Sequence, residues 1–277
     1  MIRDIILKLE VDKSRDSVCD YAISIAEAFD AHIAGVAFAD GSSIPGFLMP
    51  DFPSHVLAGI VEEQERAARE AVTRFEAAAK RSLLSGEPRL VTESELGPAR
   101  AFSVMARRFD LSVVMQSNYD QGANNDILIE ATLFDSGRPL IVVPYIQKDG
   151  LKLDRILCCW DGSRAATRAI NDALPLLQKS QAVELFIVGN EKTADEREIR
   201  GAEIGSHLAR HGIKVKVETV PAADLDVADA ILSHVSDCSA SMIVMGGYGH
   251  SRLREFVLGG ATRGILSTMT VPVFISH

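Results

Sequence analysis

The sequence predicts an α/β protein made of two tandem, open, mostly parallel five-stranded sheets with helices on both faces. Strand-length apolar runs alternate with segments of helical periodicity along the whole chain, the order that parallel pairing with right-handed crossovers requires. The 277 residues amount to about two ordinary domains. The order of elements also recurs: each half opens on a charged-then-apolar run (IRDIILKLE, LDRILCCWD) and closes on a proline-containing strand (RPLIVVP, TVPVFIS).

Taken in order, the first half carries strands near 3–10, 32–39, 88–93, 111–116 and 139–144. Between the second and third of these, EEQERAAREAVTRFEAAAKR (62–81) is an amphipathic helix with Val72, Phe75 and Ala79 inward. The segment GSSIPGFLMPDFPSH (41–55), with three prolines and two glycines, reads as a long loop. Gln147, Lys148, Asp149 and Gly150 form a polar joint, so the domains are expected at 1–147 and 152–277. In the second half, RILCCW (155–160) is a strand with continuous burial. From Arg164 the residues Ala165, Ala166, Ala169, Ile170, Ala173, Leu174 and Leu177 recur at helical spacing, with Asp161 and Ser163 where an N-cap is wanted. Strands at 182–189, 213–220, 241–245 and 271–276 then alternate with helices around 193–210, 225–236 and 260–269. A shift of 130 positions lays Val114-Met115 on Val244-Met245, Leu128 on Leu258 and Ala131-Thr132 on Ala261-Thr262 without a gap, which argues for duplication of one unit.

Composition narrows the function. A net charge of −9, from 29 basic and 38 acidic residues, disfavours a nucleic-acid partner, since phosphate neutralisation needs a basic face. No apolar run approaches the ~20 residues that cross a bilayer, and charges at Arg3, Asp4, Lys8 and Glu10 exclude a signal-peptide core. The four cysteines lack CxxC spacing, so a zinc site or disulfide scaffold is not expected and a cytoplasmic location is.

The informative residues follow the fourth strand of the second half: Met245-Gly246-Gly247-Tyr248-Gly249-His250-Ser251-Arg252, then Gly259-Gly260-Ala261-Thr262. Glycines between a strand's carboxyl end and a helix start let the backbone approach a ligand, and the free N–H groups there favour an anion. Arg252 and Arg254 can add charge-assisted contacts. The spacing fits neither a Walker A loop nor the dinucleotide fingerprint, which follows a first strand. Gly246-x2-Gly249-x9-Gly259 resembles the ATP-binding signature of universal stress proteins, and the resemblance extends over the whole chain as two tandem domains. It implies an adenine-nucleotide alpha-hydrolase-like fold and a pocket for ATP or a related adenine nucleotide, with or without Mg2+. Asp161, Gly162 and the backbone near Val188 would serve the nucleoside; Met245, Gly246, Gly249, His250, Ser251, Arg252, Gly259, Gly260, Ala261 and Thr262 would surround the phosphates. The family's Ser or Thr after the last glycine is Gly260 here, removing a hydroxyl worth roughly 0.5–1.5 kcal/mol, and up to about 3 with a charged partner. The family also implies an intrachain pseudo-dimer through the closing strands and a homodimer of chains.

On the 130-residue shift the first half has Gln116 for Gly246, Tyr119 for Gly249, Ile129 for Gly259 and Glu130 for Gly260, and alignment of the opening strands gives Glu10 for Asp161; its site is expected to be degenerate. No catalytic residue and no metal ligand is assigned. His207 and His211 sit four apart on a helix but lack a third ligand. Trp160 reads as core packing that borders the base, and Cys158 as a buried apolar residue. Three functions compete: a stress-response regulator that binds a nucleotide, a slow ATPase or phosphotransferase using Asp161, His250 and Arg252, and an interaction module that binds none.

Overall fold

A computed structural model of the chain describes residues 1–11, 16–39, 54–92, 94–118, 125–189, 194–221, 226–247 and 260–277. The first half contains β1 (Asp4–Lys8), α1 (Ser17–Phe29), β2 (His32–Phe38), α2 (Ser54–Arg81), β3 (Gly86–Val91), α3 (Gly97–Ala106), β4 (Leu111–Met115), α4 (Asp126–Asp135) and β5 (Leu140–Val143). The second contains β6 (Arg155–Cys159), α5 (Arg164–Asp172), α6 (Leu174–Lys179), β7 (Ala182–Gly189), α7 (Ala194–Arg210), β8 (Val215–Pro221), α8 (Val227–Cys238), β9 (Met242–Gly246), α9 (Gly260–Thr268) and β10 (Val273–Ser276).

The two five-stranded halves form one ten-stranded sheet in the order β3-β2-β1-β4-β5-β10-β9-β6-β7-β8. All pairings are parallel except the central one, where β10 runs antiparallel to β5 with Phe274 opposite Ile141. Each closing strand thereby covers the edge that the other would leave open. The outer edges are blunted: β3 carries Pro88 and the Glu87–Arg89 ion pair, while β8 carries Lys216 and Glu218 and ends on Pro221. Period-two alternation sends Ile5 and Leu7 to one face of the sheet and Ile6 to the other. On the first face α1, α2, α5, α6 and α7 close one apolar core that runs through both halves, and on the second α3, α4, α8 and α9 close another. Leu151 N–H donates to Ser24 Oγ at 2.6 Å, tying the connection between the halves onto α1.

Three expectations change. The helix expected to run unbroken from Arg164 to Leu177 is two, because Pro175 has no N–H for the preceding turn; α6 starts afresh around it. The helix expected at 62–81 begins at Ser54, so the end of the presumed 41–55 loop is helical, and the rest of that loop lies outside the described residues. The ungapped shift of 130 does not hold. Equivalent backbone bonds are made by Asp110 and Ser241, by Ser112 and Ile243, and by Gln116 and Gly247, each pair 131 positions apart. The first strands do correspond at a shift of 151, since Leu9 bonds Val36 as Trp160 bonds Phe186. In the helices, the inward set Ile129, Thr132 and Leu133 matches Thr262, Ile265 and Leu266, a shift of 133. A slip of one residue turns a strand's side chains to the opposite face: Val114 and Val244, aligned by the shift of 130, belong to different cores.

Candidate functional site

The site forms where the sheet of the second half changes winding direction. β6 lies between β7 and β9; α5, which follows β6, packs toward the first face, and α9, which follows β9, covers the second. Crossovers that leave in opposite directions open a crevice beyond the strands' carboxyl ends, the general ligand position in open α/β sheets. Here it is a cleft of ≈ 180 Å³, built from the ends of β6 (Cys159, Trp160, Asp161), β7 (Phe186, Val188) and β9 (Met245, Gly246). Ala166 of α5, Val227 and Ile231 of α8, and Gly260, Ala261 and Thr262 of α9 close it.

Local sequence explains each wall. Gly162 turns the chain with φ +77°, where a Cβ would be strained, and Ser163 then caps α5 by accepting from Ala166 N–H at 3.1 Å. Asp161 accepts from Ser163 N–H at 2.9 Å, so the carboxylate at the mouth belongs to the same turn. Gly260, Ala261 and Thr262 open α9 and line the cleft, and the start of a helix is an end that favours an anion. The remaining wall is apolar. Cys159 is part of it, because burial, with the Asp161 carboxylate adding, pushes its thiol up to about 12, far from a reactive thiolate.

Of the residues expected at the site, Asp161, Val188, Met245, Gly246, Gly260, Ala261 and Thr262 line this one cleft. Gly162 is exposed and shapes the turn without lining it. Gly249, His250, Ser251, Arg252 and Gly259 lie outside the described residues, as does Tyr119. The reason for Gly246 is corrected: a Cβ there would come within 2.4 Å of Ala166 N and 2.5 Å of Ala165 C, so the absent side chain admits the backbone of α5. Gly247 is likewise filled by protein, a Cβ meeting Leu133 Cδ2 of the first half at 2.7 Å. Gly260, unlike Gly246 and Gly247, faces open space, with nothing within 4 Å of a Cβ. Phe186, Ala166, Val227 and Ile231 were missed as site residues. Phe186 is two before Val188 on its strand and Val227 is one turn before Ile231, so both pairs share a face by simple periodicity.

The first half differs at each equivalent point. Glu10, opposite Asp161, is buried and paired with Lys8 Nζ at 3.0 Å. Met115, not Gln116, is the counterpart of Gly246, and Gln116 that of Gly247. Asp126 and Ile127, not Ile129 and Glu130, stand for Gly259 and Gly260, so a carboxylate does open the helix, but at Asp126. Its Oδ1 accepts from Ser117 Oγ at 2.5 Å.

Fold and cleft together define a doubly wound α/β protein with a pocket at the winding switch of its second half. Residues 152–277, the second half of the chain, match the model of the universal stress protein family. Universal stress protein YxiE of Bacillus subtilis is 27% identical over 145 residues, 44% of this chain and 97% of that protein. Universal stress protein Slr1230 of Synechocystis is 28% identical over 155 residues, 55% of this chain and 50% of that protein. A universal stress protein from Archaeoglobus fulgidus DSM 4304 shares the fold, with a TM-score of 0.71 at 17% identity across 98% of this chain and 97% of that one. Among the described residues no helix is long and apolar enough to cross a membrane.

Proposed function

We propose that the second half binds ATP or a related adenine nucleotide in the β6/β9 cleft, and that the protein acts in the cytoplasm as a stress-response regulator through contacts that depend on the bound state. The observation that carries this is convergence: Asp161, Val188, Met245 and the Gly260–Thr262 turn, four separate stretches of sequence, meet around one opening. Phe186, Val188, Ile231 and Met245 offer apolar faces to a flat base, Asp161 an acceptor for ribose hydroxyls, and the start of α9 an attraction for phosphate. At ≈ 180 Å³ the cleft is smaller than the roughly 300–1,000 Å³ of pockets that enclose a drug-sized ligand. It suits the base, with the polyphosphate at the open mouth. A regulator needs only that the nucleotide bind one state better than another.

The test is mass analysis of nucleotide released from freshly purified, denatured protein, with calorimetric titration of ATP, ADP, AMP and cAMP. Expected is one adenine nucleotide per chain, with affinity reduced about tenfold or more in Asp161→Ala, the scale of a lost hydrogen bond to a polar partner. No released nucleotide and no heat with any of the four would overturn the proposal. One observation favours a nucleotide-independent interaction module instead: protein atoms already occupy the space beside Gly246 and Gly247. Under that reading both results are negative.

A further inference from the structure

At the opposite end of the strands from the cleft, a second group of polar side chains lies between β7 and α8. Glu184 projects from the start of β7 with its side chain only 2% exposed. Its Oε1 is 2.7 Å from His234 Nε2, and its Oε2 accepts from Arg155 Nη1 at 3.1 Å. Cys238 follows His234 by one helical turn, so both project from the same side of α8 toward the carboxylate. One donor atom from each of Glu184, His234 and Cys238 lies within 4.8 Å of the others.

We infer that Glu184, His234 and Cys238 form a binding site for a soft divalent cation of the zinc class. Carboxylate oxygen, imidazole nitrogen and thiolate sulfur are the donors such an ion selects, and an oxygen-seeking ion such as magnesium or calcium would gain nothing from the sulfur. Three protein donors leave the fourth tetrahedral position to water. The surroundings hold the donors in place: the His234 ring stacks on Phe186 at 4.2 Å between centroids, and Arg155 orients the carboxylate from its other oxygen, as outer partners of ligating groups do. Lys216 Nζ, 3.7 Å from Glu184 Oε1 but 62% exposed, opposes the ion and can swing into solvent. A thiol gives up its proton when it ligates such an ion, so binding releases that proton to solvent and strengthens as pH rises.

Titration of the full chain with Co2+ reads the site by spectroscopy. Expected are a thiolate-to-metal charge-transfer band, saturating at one ion per chain, and its displacement by Zn2+. Cys238→Ser should abolish the band and His234→Ala should weaken binding about tenfold or more, the scale on which metal-site partners act. Lys216→Ala, at an exposed position that does not threaten folding, should tighten it severalfold by removing an opposing charge. Absence of the band in the wild type, a band that persists in Cys238→Ser, or affinity unchanged or weakened in Lys216→Ala would each overturn the inference.

Discussion

Gln116 Nε2, at the end of β4, donates 2.9 Å to the carbonyl of Leu266 in the last turn of α9, although the two residues belong to different halves of the chain. It also donates to Ser267 at 3.2 Å, while its Oε1 accepts from Tyr145 N–H at 3.2 Å. The last carbonyls of a helix have no intrahelical donors, so a buried amide from the neighbouring half supplies what α9 cannot. The pseudo-symmetric contact is solved by subtraction: Gly247 leaves the space that Leu133 of α4 fills.

Gln116→Ala should therefore destabilise the whole molecule. It leaves carbonyls of α9 and the Tyr145 N–H short of partners, at about 2–3 kcal/mol. Urea unfolding should show the loss as a lower midpoint in a single transition, since both apolar cores run through both halves. A separate early transition confined to one half would contradict the shared cores.

Gly246→Ala should lower stability in the absence of any ligand. A methyl 2.4 Å from Ala166 N forces α5 away from β9, and overpacking of this kind costs typically about 1–3 kcal/mol. Thermal unfolding of nucleotide-free protein measures it. An unchanged melting temperature would show that this glycine serves only ligand approach.

Gly260→Ser should behave in the opposite way. The added Cβ meets open space at the first turn of α9, and replacing glycine in a helix gains up to about 1 kcal/mol. Under the proposed function the hydroxyl also supplies the phosphate contact that the family signature carries, tightening ATP binding by about tenfold. Calorimetric titration beside a thermal melt separates the two effects; weaker binding in a stabler protein would refute the phosphate position.

Glu184→Gln should destabilise most at neutral pH. Burial opposes ionisation of Glu184, but the His234 hydrogen bond, the Lys216 charge and Arg155 outweigh it and hold its carboxyl below the usual range. A carboxylate favoured in the folded state contributes stability above its unfolded value of 4.5, and that contribution fades as pH falls below it. Breaking the cluster is worth about 2 kcal/mol, below the 3–5 of a fully buried pair because Arg155 and Lys216 reach solvent. Urea midpoints of wild type and variant should differ at pH 7 and converge toward pH 3; a constant difference would refute the electrostatic origin.

The element order was legible because it rests on periodicity. The β-strand runs, the N-cap at Ser163 and the inward Phe75 and Ala79 of α2 follow from local spacing, and all lie where spacing puts them. The break at Pro175 is equally local, but the apolar residues on either side keep helical phase and mask it. Register between the halves was not legible. Small apolar residues match by chance at a shift of 130, and only backbone bonds such as Gln116 to Val143 and Gly247 to Ser276 reveal the shift of 131.

By itself, then, the amino-acid sequence determined two α/β units in tandem, their strands and helices, and the stretches that bring Asp161, Val188, Met245 and Gly260–Thr262 to strand and helix ends, because hydrophobic period and capping chemistry act within a few residues. What surrounds those residues was decided by the tertiary structure alone. Gly246 and Gly247 look like ligand cradles in the chain, yet one receives the α5 backbone and the other Leu133. Glu184 and His234 are 50 residues apart and meet only because α8 packs across β7. Contacts of this kind depend on which faces are pressed together in the folded sheet, and no local spacing carries that information.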